Sequence, residues 1–126
     1  MPLAVTRGRD DFLIEVESEA VVRQLSPDFA VLKTLPARGV IVTARADSAE
    51  FDFVSRFFAP AAGVDEDPVT GSAHCMLAPF WGARLDKRSM RAWQASRRGG
   101  EVRVDWRDDR VGLAGRCVTV LSGTLT

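Results

Sequence analysis

The sequence predicts an α+β domain in which a β-sheet wraps round one very apolar helix. Two observations carry this reading. Short segments rich in β-branched and aromatic residues, bounded by Gly, Pro, Asp or Ser, recur roughly six times along the chain. Among them, residues 70–85 place Ala73, Leu77, Phe80, Trp81 and Leu85 at helical spacing. That stretch is apolar on more than one side, as a buried helix is. A sheet packed on one buried helix is an α+β arrangement.

Taken in order, residues 12–17 (Phe-Leu-Ile-Glu-Val-Glu) read as a strand. Ser18 then offers an N-cap and Glu19 suits the first turn, with Val21, Val22 and Leu25 on one helical face. A second short helix follows, in which Ser26 caps, Pro27 fits the first position and Phe29, Leu32 and Leu35 form the apolar stripe, until Pro36 ends it. Residues 39–44 and 51–58 read as strands, and 59–67 as a loop containing Pro60, Gly63 and the acidic run Asp65-Glu66-Asp67. Pro79 is expected to kink or divide the long helix. Strands are then expected at 89–96, 101–106, 110–113 and 117–121, with a hairpin turn at Asp108-Asp109 and a turn at Gly115. Val102, Val104 and Trp106 share one strand face.

A chain of 126 residues fits a single domain and can remove roughly two-thirds of its unfolded surface from water. Seventeen Lys and Arg balance seventeen Asp and Glu, so no net field favours nucleic acid or an anionic membrane. Cys75 and Cys117 lie far apart with no metal-ligand spacing, and both read as reduced, buried thiols. No apolar run has the length of a signal peptide or membrane span, which points to a cytoplasmic protein.

The segment that can carry chemistry is Asp67-Pro68-Val69-Thr70-Gly71-Ser72-Ala73-His74. Gly71 leaves the helix start unobstructed, so the first-turn N–H groups and the Thr70 and Ser72 hydroxyls can hold a carboxylate or phosphate. Asp67 stands just before those donors, placed to move a proton on the group they hold. A purely structural alternative stays open, with Thr70 as an N-cap and Asp67 as a helix-dipole partner or turn former. His74 points about 200° away from Ser72 on a helix and reads as a hydrogen-bonded structural residue. Cys75 reads as a core thiol, the Arg97-Arg98-Gly99-Gly100 stretch as a tight turn, and Trp81, Trp93 and Trp106 as packing anchors.

Three stretches extend this reading. Arg56-Phe57-Phe58-Ala59-Pro60, then Gly63-Val64-Asp65-Glu66-Asp67-Pro68-Val69-Thr70-Gly71-Ser72-Ala73-His74-Cys75, then Gln94-Ala95-Ser96-Arg97-Arg98-Gly99-Gly100, closely resemble the C-terminal half of phenazine-biosynthesis PhzF-like isomerases. The resemblance covers nearly all of the chain in order. It implies the diaminopimelate-epimerase fold, a sheet rolled into a barrel around a central helix at about residues 70–85, as a single domain over residues 1–126. It also implies cofactor-independent isomerisation, with Asp67 and Ser72 catalytic and with Thr70, Gly71 and Ala73 binding a small carboxylate-bearing substrate. The family's N-terminal half, with its base glutamate and Gly-His motif, has no counterpart here. The expectation is therefore half a site, active when a homodimer or a complementary N-terminal-half chain completes the cleft. The alternative is a non-catalytic carboxylate-binding domain or an inactive fragment.

Overall fold

A computed structural model describes all 126 residues. Its strands are Ala4–Arg7 (β1), Asp11–Glu15 (β2), Gly39–Arg45 (β3), Phe53–Ala59 (β4), Val64–Asp67 (β5), Ser89–Gln94 (β6), Gly100–Arg107 (β7) and Arg110–Ala114 (β8). The helices are Glu19–Gln24 (α1), Phe29–Leu32 (α2) and Gly71–Leu85 (α3), with a 3-10 turn at Pro60–Ala62. All eight strands form one mixed sheet in the order β1-β2-β3-β4-β6-β7-β8, and β5 also pairs with β4. The parallel pairs are β2 with β3 and β4 with β6. Parallel neighbours need a crossover connection, which α1 and α2 provide for the first pair and β5 with α3 for the second.

Burial explains which residues build which layer. β3 is buried along six consecutive residues, as a strand covered on both faces must be. One face packs on α3, where Leu13, Ile41, Phe53, Met90, Val102 and Val104 meet Ala73, Leu77, Ala78 and Trp81. The other face packs Val40, Val42, Val54 and Phe58 against Val22 of α1 and Phe29 and Leu32 of α2. The strands that build this core are β2, β3, β4, β6 and β7, with Val111 of β8 packed against it, so the sheet curves round α3.

That curvature does not close into the expected barrel. β1 pairs only with β2 and β8 only with β7, which leaves two open edges. Residues 117–121, expected as a last strand, form none, and Val118, Val120 and Leu121 are exposed. An alternating pattern becomes a strand only against a partner edge, and the chain leaves the sheet after Ala114. β1 and β5 were not expected. Three of the four β1 residues are exposed, and β5 is the acidic run itself, so neither has an apolar alternation to announce it.

Local chemistry accounts for the helices. The Ser18 hydroxyl accepts from the Val21 N–H at 3.3 Å and starts α1, as expected. Asp28, not Ser26, caps α2, accepting from the Val31 N–H at 3.1 Å, so the helix begins after Pro27. α3 runs through Pro79 undivided. The proline removes the N–H that would bond the Cys75 carbonyl, and Cys75 lies on the exposed side where water can serve instead. α3 is also more one-sided than its composition suggests. Ala73, His74, Leu77, Ala78, Trp81 and Gly82 are buried in a stripe at helical spacing, while Gly71, Ser72 and Cys75 face outward. Both cysteines are free, but both are exposed and not buried as expected. No helix is long and apolar enough to cross a membrane.

Gly82 permits the close contact at the far end of this stripe. A Cβ there would stand 2.6 Å from Trp106 Cε3 and 2.8 Å from the Lys87 carbonyl oxygen. Gly82→Ala is expected to lower unfolding free energy by about 1–3 kcal/mol through overpacking. Urea midpoints of the two proteins check it.

Candidate functional site at the start of α3

β4 positions the acidic loop. Its first half, Phe53–Ser55, pairs with β6, and its second half, Phe57–Ala59, pairs with β5, placing Asp67 opposite Phe57. The chain then turns through Pro68, Val69 and Thr70 into α3. Gln94, at the end of β6 and fully buried, holds that turn with every polar atom it has. Its Oε1 accepts from the Thr70 N–H at 2.7 Å, and its Nε2 donates to the Asp67 carbonyl at 2.8 Å and to Thr70 Oγ1 at 3.1 Å. From below, Ser96 Oγ donates to the Pro68 carbonyl at 2.8 Å and accepts from the Gly99 N–H at 3.0 Å. Gly99 takes φ +72, and a Cβ on Gly100 would lie 2.3 Å from Val69, so the Gly pair serves a tight turn packed on the acidic loop.

With Gln94 filling its acceptor role, the Thr70 hydroxyl donates to Asp67 Oδ2 at 2.6 Å. Thr70 therefore occupies the N-cap position without capping, because its side chain makes no bond to the helix N-terminus. No side chain satisfies the first-turn N–H groups of α3, which include those of Gly71, Ser72 and Ala73. The structure brings Asp67 and Thr70 into direct contact. The Ser72 side chain hydrogen-bonds neither of them, and Ala73 contributes only backbone, its side chain being buried in the core.

Ser72 has a different neighbour. Arg38 Nη2 donates to Ser72 Oγ at 2.9 Å, while the same guanidinium grips Asp11 through Nε–H to Oδ1 at 3.0 Å and through Nη2 to Oδ2. The Arg38 guanidinium also lies 5.5 Å from the centre of the Phe57 ring. Asp11 is 3% exposed. Its hydrogen bonds raise the pKa of Arg38 above the ordinary arginine value, so the cation is permanent.

His74 is structural. It is fully buried, and its Nδ1 lies 2.7 Å from the Thr70 carbonyl, an acceptor, so Nδ1 carries the proton. Nε2 is buried without a partner. A second proton would place a charge there with nothing to receive it, and burial accordingly lowers the pKa of His74, opposed by the Thr70 bond. The unfolded chain binds that proton below about pH 6.5, whereas the folded chain resists it. Stability is therefore expected to fall as pH drops through and below 6.5, by at most about 1.4 kcal/mol per pH unit from this group. It levels off once the folded value is passed. Urea unfolding at pH 7.5 and 5.5 should show a shallower decline for His74→Asn than for the native chain.

The site is open. A concavity of about 980 Å³ adjoins this end of α3, lined by Val69, Gly71, Trp93, Arg98 and Leu113 among others. Asp67 and Ser72 line neither it nor the 610 Å³ hollow outside β6 and β7. No group of three or more His, Cys, Asp or Glu side chains converges to hold a metal ion.

Sequence reasoning did not find Arg38, Asp11 or the role of Gln94. A lone arginine before a strand has no local pattern, and its partners lie 27 and 34 residues away. Gln94 stood in a singled-out stretch, but only the fold brings it under Thr70.

Residues 1–123 match the family described as Phenazine biosynthesis-like protein, PhzC-PhzF. A protein of Pseudomonas aeruginosa named as an uncharacterized isomerase is 56% identical over 98% of this chain, which covers 47% of that protein. A similarly named isomerase of Halalkalibacterium halodurans is 51% identical with the same coverage. Among solved structures, a PhzC/PhzF protein from Clostridium difficile aligns over 100% of this chain and 48% of its own, with 38% identity and TM-score 0.87. A PhzF-family protein from Enterococcus faecalis aligns over 88% of this chain and 42% of its own, with 43% identity and TM-score 0.83. The chain thus spans about half the length of the curated relatives it matches.

Proposed function

The chain belongs to the phenazine biosynthesis-like PhzC-PhzF family, and on that premise we propose that it carries half of a cofactor-independent isomerase site. In this reading the site acts on a small carboxylic acid by acid/base proton transfer. Asp67 takes a proton from carbon next to a carboxylate or carbonyl, and the proton is returned to another carbon of the same molecule, so nothing is oxidised or lost. Ser72 donates to the bound substrate. The N–H groups of Gly71 and Ala73 hold the substrate carboxylate, where the helix N-terminus favours negative charge. Thr70, whose N–H and hydroxyl are already given to Gln94 and Asp67, orients Asp67 instead of holding the substrate as expected.

The observation that carries the reading is the Asp67 carboxylate, fixed on one side by Thr70 at 2.6 Å and left with Oδ1 unpartnered at the open, uncapped end of α3. Proton abstraction from carbon needs water excluded and charge stabilised by fixed groups. An open face meets that need only when a second wall covers it. The proposed wall is a second copy in a C2 homodimer, which would bring two Asp67 and two Ser72 side chains to one cleft. A complementary chain carrying the family's other half would serve equally.

Incubation in deuterium oxide with a panel of small 2-oxo and unsaturated carboxylic acids tests the chemistry. The chain should place deuterium on carbon beside the carboxylate or carbonyl, and Asp67→Asn should slow this by about 100-fold or more. Equal incorporation by the variant would remove Asp67 from the reaction.

A further inference from the structure

Arginine has five N–H donors and no acceptor. In its contact with Ser72, the serine oxygen must therefore be the acceptor, at 2.9 Å from Arg38 Nη2. With that lone pair taken and no protein group accepting from it, the hydroxyl hydrogen is left for solvent or a ligand at the exposed start of α3. We infer that Arg38 is a positioning residue for the site, fixing Ser72 as a one-way hydrogen-bond donor to an anionic oxygen of a ligand. The inference rests on the ligand-holding role proposed for Ser72.

The surroundings hold Arg38 in this task. Asp11 occupies Nε and Nη2 together, so the guanidinium plane cannot rotate about its own axis without breaking both bonds. Asp11 starts β2 and is itself buried. The Arg38 N–H donates to the Asp10 carbonyl at 2.7 Å, which anchors the base of the side chain to the same turn. Phe57, in the strand that carries Asp67 on its edge, lies beneath the guanidinium. Gly39 makes room for that ring, since a Cβ there would meet it at 2.5 Å. Nη1 makes no hydrogen bond within the protein, and the Arg38 side chain is 40% exposed. Lysine cannot reproduce this arrangement, because one ammonium cannot grip both carboxylate oxygens in the plane that also reaches Ser72.

A double-mutant cycle on the full chain tests the assignment, with oxalate as probe and the Ser72 backbone amide followed by NMR. In the native background Ser72→Ala should weaken oxalate binding about tenfold, the loss of one charge-assisted hydrogen bond. Ser72→Thr, which keeps the hydroxyl, should stay within about twofold. In an Arg38→Lys background the loss on Ser72→Ala should shrink to less than about twofold, and threonine should confer no advantage over alanine. Asp11→Val with Arg38→Met removes both charges together and gives the same outcome in a protein without a stranded carboxylate. A tenfold loss in every background would overturn the inference, as would oxalate failing to bind the native chain saturably. Equal deuterium incorporation by native chain and Asp67→Asn, with the Arg38–Ser72 coupling intact, would instead remove Asp67 as base and leave the role of Arg38 standing.

Discussion

Arg38→Ala is expected to lower unfolding free energy by about 3 kcal/mol, seen as a drop in urea midpoint at unchanged slope. The cost comes from Asp11 more than from Arg38. Asp11 is 3% exposed and its carboxylate is gripped by the arginine. Truncating the arginine strands a buried charge. The low end of the usual range applies because the Arg38 side chain is 40% exposed, so water can enter the vacated space. Replacing both partners, as in Asp11→Val with Arg38→Met, should recover most of the loss, because a pair exchanged for apolar groups is often neutral. Arg38→Ala should also release Ser72 and loosen the start of α3 before the rest of the domain.

Phe53→Ala is expected to cost about 3–5 kcal/mol by the same measurement. Phe53 is fully buried and lies where β3, β4 and β6 meet, opposite Arg45 on one side and Ala92 on the other. Its ring stacks on Trp81 at 5.9 Å and 10° and lies 6.2 Å from that of His74. Ala92 and Ala73 are small and cannot swing in to fill the space, so a cavity remains. Trp81 is tied separately, through Nε1–H to Thr43 Oγ1 at 3.0 Å, and should hold its place. The larger disturbance should fall on His74 and the first turn of α3, which links a core substitution to the site.

The sequence was most informative where one periodicity ruled. The α3 stripe, the strands β3, β4, β6 and β7, and the hairpin at Asp108-Asp109 are local patterns, and the fold contains them. The position of Asp67 just before α3 was equally legible, because Asp-Pro-Val-Thr-Gly-Ser carries its own turn chemistry. β5 was not legible, since Val-Asp-Glu-Asp becomes a strand only by pairing with β4. Thr70 read naturally as a cap. Only the arrival of Gln94 from 24 residues away turns its hydroxyl toward Asp67. Arg38 illustrates the same limit, because its task depends on Asp11 and Ser72 meeting in space. The open barrel is the converse case. Cys117 to Leu121 has a strand's alternation, but it pairs with neither open edge of the sheet.

The Asp67 end of α3 is proposed to be half a cleft that a second copy completes. The most direct test of that proposal is solution mass by light scattering at micromolar concentration. A dimer of twice the 13.8 kDa chain mass is expected. A clean monomer that nonetheless carries out Asp67-dependent deuterium exchange would contradict it, because one open half would then suffice.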